Sequence, residues 1–244
     1  MNVDATHKAR QQAPDLKAGI IRRMVQVLVT VLVQAVVLFL SAGTLRWWEA
    51  WAYVGIYLAG VAVNAVFMLR LNPETIVERG RAAASTNWKE WDKIVGIVFS
   101  VLYFIGILLV AGLDERFGWT GQIGLATHIA AFVAYVLGGA MFSWAMISNA
   151  YFSTAVRIQD DRGHAVCNTG PYRFVRHPGY VGAILQSLAA PLMFGSLWAL
   201  LPGVMAVLLL IIRTALEDRM LQEELGGYRE YAEQTRYRLL PGVW

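Results

Sequence analysis

Uncharged, apolar runs alternate along this chain with short blocks of charge. The runs cover residues 24–45, 50–69, 94–113, 117–156 and 178–212. Each of the first three matches one helical span, since roughly 20 apolar residues cross a hydrocarbon core of about 30 Å. The fourth opens with Gly118, Gly121 and Gly124, which predicts a short loop and then one helix from about Ala126 to Phe152. As one straight helix, 178–212 would reach about 50 Å at ~1.5 Å per residue, far beyond the membrane. Pro191, Gly195, Ser196 and Pro202 interrupt its middle, and proline removes a rung of the i to i−4 ladder. The pattern therefore predicts two shorter helices folded back on each other. The expected fold class is an all-α integral membrane protein with about six transmembrane helices, the last two a helical hairpin.

Charge decides between five crossings and six. Hydrophobic residues make up 57% of the chain and charged ones only 16%, so the placement of each cation carries weight. Cytoplasmic segments hold the excess of Lys and Arg. With six crossings and both ends of the chain cytoplasmic, 19 of the 21 basic residues lie inside, and only Arg46 and Arg116 lie outside. Five crossings would export the arginine-rich C-terminal segment. Trp47, Trp48, Trp51, Trp119 and Trp198 then gather at the outer interface, as aromatic belts do. The first ~20 residues are polar and the first apolar run exceeds a signal-peptide core, so no cleaved leader is expected. Residues 1–17 read as a mobile tail.

Some chemistry is excluded early. The single cysteine, Cys167, rules out an intramolecular disulfide framework, and His7, His128, His164 and His177 lack metal-ligand spacing. The cations are dispersed over cytoplasmic segments and explained by topology, which predicts attraction to anionic lipid headgroups and no nucleic-acid partner. Nothing in the sequence fixes the oligomeric state.

No internal repeat is evident, but the chain divides by character. Residues 1–23 read as an N-terminal tail, 24–149 as a four-helix membrane scaffold, and 150–244 as the functional part. In that last part, polar blocks at 157–180 and from Arg213 to Pro241 flank the hairpin. Folding the hairpin back puts both blocks on one side of the membrane, where they would roof a small-molecule pocket.

The densest polar cluster runs through Tyr172, Arg173, Arg176, His177 and Tyr180. Each member but Tyr172, which stays undecided, has a plain structural reading. His177 can brace the loop before a helix starting at Pro178, Arg173 and Arg176 satisfy the charge rule, Tyr180 can anchor at the interface, and Gly182 can permit close helix packing. Arg213 and Glu217 are one helical turn apart and could form a surface pair. With the basic residue first this is the poorer orientation, on a pair contributing only about 0.2–0.5 kcal/mol. Asn149 and Ser153 read as packing residues at the end of the fourth span, Gly138-Gly139 as a close helix contact, Glu223 and Glu224 as solvated, and Trp88 and Trp91 as an interfacial loop.

Arg176-His177-Pro178-Gly179-Tyr180-Val181-Gly182 resembles the RHPxYxG signature of the isoprenylcysteine carboxyl methyltransferase family, which also includes phospholipid methyltransferases. Glu217-Asp218-Arg219-Met220-Leu221 resembles its EExxL element, with Asp in the second acidic position. Gly227-Tyr228, Tyr231 and Pro241 resemble its C-terminal aromatic and proline pattern, so the likeness covers roughly 149–244. It implies methyl transfer from S-adenosylmethionine, bound where cytoplasmic loops meet a C-terminal helix. It also implies an acceptor arriving from the bilayer, either an isoprenylcysteine-type carboxylate or a phospholipid amine. Carried over by position, it assigns cofactor binding to Arg176, His177, Pro178, Tyr180, Gly182 and Glu217, and catalytic work to Arg213 and Glu217. The partners implied are membrane lipids and a lipophilic or lipidated acceptor. Displacement at an activated methyl needs its reactants held together and water kept out, and requires no metal. Two other readings stay open. One is a membrane sterol or enone reductase using NADPH, which would carry a different pattern at His177; the other is a non-catalytic membrane scaffold.

Overall fold

The computed structural model describes residues 16–81 and 87–244, which form helices and connections with no strand among them. In chain order the helices are α1 (Leu16–Ala42), α2 (Trp48–Leu71), α3 (Pro73–Arg81), α4 (Glu90–Phe117), α5 (Leu125–Ser148), α6 (Pro178–Met193), α7 (Leu200–Glu224) and α8 (Tyr228–Gln234). The expected N-terminal tail lies, for residues 1–15, outside the described residues, and α1 already begins at Leu16 inside the segment read as tail. Five helices, α1, α2, α4, α5 and α7, are long and apolar enough to cross a membrane. At 16 residues, α6 is about 24 Å long at ~1.5 Å per residue and pairs with α7. The protein is an all-α integral membrane protein with about six membrane helices.

The hairpin follows from its breakers. Pro191 sits in the last turn of α6, Gly195 takes the left-handed φ of +78° at the turn, and Pro202 falls in the first turn of α7. Glycine adopts that φ without a Cβ penalty, and proline at a helix start loses no needed N–H. Small residues then let backbones touch, which matters where lipid gives helices no hydrophobic reason to associate. A Cβ at Gly203 would meet the Ser187 carbonyl oxygen at 2.5 Å, and one at Gly182 would meet the Gly138 carbonyl oxygen at 2.5 Å. Gly138 thus makes the close helix contact its sequence suggests.

Three local features depart from the sequence reading. α5 stops at Ser148, short of the expected Phe152, because Asn149 leaves helical geometry and its Oδ1 accepts the Tyr151 N–H at 2.9 Å. This side-chain bond offers the backbone an alternative to the next helical turn. α4 is interrupted by a π-turn at Leu102–Gly106, where Gly106 faces Pro202. α3 was not expected; it lies along α1, with Val77 against Gly19.

The two ends of the bundle differ. At the hairpin-turn end, buried Asp114 accepts the Thr120 N–H at 2.8 Å and the hydroxyls of Thr120 and Ser196. Trp119 meets Trp198 there, and Trp47 is buried against Phe194. At the other end a separate hydrophobic cluster, including Val156, Ile158, Tyr172, Met220, Tyr228 and Tyr231, joins the long 149–177 connection to α7 and α8. That cluster is the floor of the site.

Candidate functional site

The 149–177 connection folds over the end of α7 and encloses about 820 Å³ of atom-free space, open mouth included. Of the residues singled out in the sequence, Arg176, His177, Tyr180, Arg213 and Glu217 line this cavity, together with Asn149 and Ser153. For the last two the sequence allowed either pocket lining or helix packing and favoured packing; the early end of α5 puts them in the cavity wall. Pro178 and Gly182 stand away from it. Pro178 is buried at the first position of α6, and Gly182 is spent on the contact with α5.

Asp218, fully buried, holds the wall together. Its carboxylate accepts from Arg176 Nε at 2.7 Å and Nη2 at 3.0 Å, Arg238 Nε at 2.8 Å, Tyr228 OH at 3.0 Å and Gln222 Nε2 at 2.8 Å. His177 Nε2 lies 3.3 Å away. A buried carboxylate is tolerated only with this kind of saturation. The remaining donor of Arg176, Nη1, bonds the carbonyls of Ala232, Thr235 and Arg236 at 3.0–3.2 Å. The backbone N–H groups of Arg176 and His177 donate to the Tyr237 and Arg238 carbonyls. Arg176 therefore ties the loop, α7 and the C-terminal segment into one unit through all three of its guanidinium nitrogens. The sequence offered no role for Asp218 beyond an acidic position in a motif.

His177 stacks on Tyr180, ring planes 3° apart and centroids 5.7 Å apart. The Tyr180 hydroxyl donates to Glu217, the sole hydrogen bond of that carboxylate among the described residues. Arg213 lies over the other part of this group, its guanidinium carbon 5.6 Å from the Tyr180 ring centre. The Arg213–Glu217 surface pair that the spacing allowed does not form. Arg213 is buried, and its Nη2 donates to Asp92 at 3.0 Å and to the Thr154 carbonyl at 2.9 Å. Its Nε approaches the other Asp92 oxygen to 2.7 Å without hydrogen-bond alignment, so that approach is ionic only. Asp92 is fully buried and also accepts from Trp88 Nε1 at 2.6 Å and Val156 N–H at 2.8 Å. Sequence reasoning passed over Asp92 and treated Trp88 as interfacial. The available signal was a carboxylate in the first turn of an apolar span, which needs a partner at that depth.

The outer wall is also charged. Arg157 pairs with Glu78 of α3 at 2.9 Å and Asp161 at 2.8 Å, fixing the connection against α3. His164 Nδ1 accepts the Gln159 N–H at 3.3 Å and its ring packs on Tyr151. Burial, helped by the charges of Arg157 and Arg162, lowers His164 to about 4. It is neutral at pH 7, and the Gln159 bond assigns its proton to Nε2. Burial raises Tyr172, Tyr228 and Tyr231, so their hydroxyls remain protonated.

Residues 129–223, less than half of the chain, match the model of the isoprenylcysteine carboxyl methyltransferase (ICMT) family. A protein of Bacillus subtilis (strain 168) described as "Uncharacterized protein YpbQ" is 28% identical over 131 residues, covering 52% of this chain and 72% of that protein. The family match takes in the Arg176–Tyr180 loop, Arg213 and Glu217. It leaves out Asp92.

Proposed function

We propose that this is a membrane methyltransferase in which methyl groups pass from S-adenosylmethionine to an amphiphilic acceptor drawn from the bilayer, a reading supported by the likeness of residues 129–223 to the ICMT family. One observation carries this reading. The Arg176–Tyr180 loop and the Arg213–Glu217 turn, separated in sequence by the whole hairpin, line a single cavity. Both ends of the chain and the cavity lie on the cytoplasmic side in this proposal, supported by the segregation of basic residues. Residues 150–244 form the functional half, and the preceding scaffold contributes Asp92 to it.

The lining fits such a cofactor. S-adenosylmethionine is a sulfonium cation bearing an ammonium group and an aromatic base, and the cavity offers the Glu217 carboxylate and the rings of Tyr180, His177 and Phe152. Aromatic faces attract cations by about 0.5–2 kcal/mol. Glu217, Tyr180 and His177 would hold it, with Arg176 shaping the loop from behind. When bound, it supplies a methyl group already activated for in-line displacement. Arg213 positions the acceptor: Asp92 and Thr154 fix one edge of its guanidinium, while Nη1 has no protein partner among the described residues. A free donor on a fixed guanidinium suits an acidic acceptor group, such as an isoprenylcysteine-type carboxylate, better than an amine. Holding acceptor and donor in near-attack geometry, with the 149–177 connection keeping water out, is the main work left to the protein.

Calorimetry on the purified protein should show binding of S-adenosylmethionine and of S-adenosylhomocysteine and none of NADPH. Labelled methyl from S-adenosylmethionine should appear in a native lipid extract. Binding of NADPH alone would move the protein to the reductase reading, and binding of neither would make it a scaffold.

A further inference from the structure

Phe152, a ring of the cavity wall, carries the guanidinium carbon of Arg79 5.3 Å from its centre. Arg79 does not stand there alone. Burial and the charge of Arg23 on α1 both lower it, and Tyr57 on α2 raises it. The end of α3 is seated on α1 at this point: a Cβ on Gly80 would lie 3.5 Å from the Arg23 Cβ, and Gln26 Nε2 donates to the Gly80 carbonyl at 3.1 Å.

Arg23, Tyr57 and Arg79 are all partly buried, whereas Arg22, Arg70 and Arg81 on the same helices are exposed as ordinary charge-rule residues are. Neither Arg23 nor Arg79 has an ion-pair partner among the described residues. Glu78, the adjacent carboxylate on α3, is turned to Arg157. Among the described residues, the only hydrogen bond of the Arg23 side chain is a long one, 3.5 Å, to Gln26. Two cations drawn together and partly out of water repel each other more strongly than exposed ones. An anion between them would reverse the sign of that interaction, and guanidinium forks suit phosphate or carboxylate.

We propose that Arg23, Tyr57 and Arg79 form a binding site for the phosphate or carboxylate headgroup of an anionic bilayer amphiphile, beside the Phe152 wall of the cavity. The site is separate from the methyl-transfer reading, in which Arg213 holds the acid group of the acceptor, because headgroup binding here is independent of transfer.

Native mass spectrometry of the purified protein tests it, using phosphatidylglycerol and oleate as probes, phosphatidylcholine as the zwitterionic control and inorganic phosphate as the soluble one. Wild type should retain phosphatidylglycerol and oleate in preference to phosphatidylcholine. Arg79→Gln and Arg23→Gln should each weaken that retention by about tenfold or more, while Arg22→Gln and Arg81→Gln leave it unchanged. Calorimetry with S-adenosylmethionine on Arg79→Gln reports whether the variant is folded. Equal retention of phosphatidylcholine, undiminished retention by both glutamine variants, or equally tight binding of inorganic phosphate would overturn the proposal. Loss of S-adenosylmethionine binding in wild type, with lipid selectivity intact, would instead remove the methyl-transfer reading and leave this site standing.

Discussion

Arg213 shows how a single side chain can change its reading once its surroundings are known. A positive-inside charge would reach for water, but this guanidinium is buried on Asp92, the Thr154 carbonyl and the Tyr180 ring. If it positions the acceptor, Arg213→Ala will keep S-adenosylmethionine affinity within a few-fold while transfer falls by about 100-fold or more, the scale of lost orientation. Calorimetry and steady-state transfer on the same preparation check the split, and near-normal transfer would return Arg213 to a structural role. His164 gives a pH prediction. Its folded value of about 4 lies below the ordinary ~6.5 of an unfolded histidine. Above that value both states hold it neutral and it adds no pH dependence; as pH falls toward 4 the unfolded state takes up the proton first, so stability is lost. Thermal midpoints at pH 7 and pH 5 should therefore drop more for wild type than for His164→Gln. Equal drops would show that His164 is not the linked group.

Helix contacts come next in scale. The α5–α6 crossing depends on Gly182, where a Cβ would also meet the Phe142 amide nitrogen at 2.7 Å. Backbone cannot yield as a side-chain tip can, so Gly182→Ala should separate the helices and cost about 1–3 kcal/mol, as overpacking does. Gly60→Ala, in α2 with open space where its Cβ would go, should cost nothing and serves as the control. Thermal unfolding in one detergent reads both. Because α6 begins at the His177 loop, Gly182→Ala should also weaken cofactor binding, so a stable protein with normal affinity would mean that α6 does not set the loop position.

For the whole molecule the question is orientation. An even number of crossings returns the C-terminal segment to the side where α1 begins, and the cavity is built from that segment. A reporter enzyme fused after Trp244 should be active in its cytoplasmic form only. Activity confined to the outer side would invert the proposed topology and place the cavity away from cytoplasmic S-adenosylmethionine.

The helical class, the approximate number of spans, the hairpin and the cluster around His177 were legible in the sequence, because hydrocarbon thickness and breaker residues act locally and leave a linear trace. Arg176, His177, Tyr180 and Glu217 could be picked out for the same reason, each sitting in a short contiguous motif, and Arg213 lies one helical turn before Glu217. Tertiary structure alone decided what those side chains touch. The Asp92–Arg213 pair spans α4 and α7, the Asp218 hub gathers Arg176, His177, Tyr228 and Arg238 from separate segments, and α3 is held by Arg157 and Gly19. Such partners have no fixed spacing along the chain. A buried carboxylate is stable wherever the fold happens to deliver enough donors, and that delivery is a property of the packed helices rather than of any stretch of sequence.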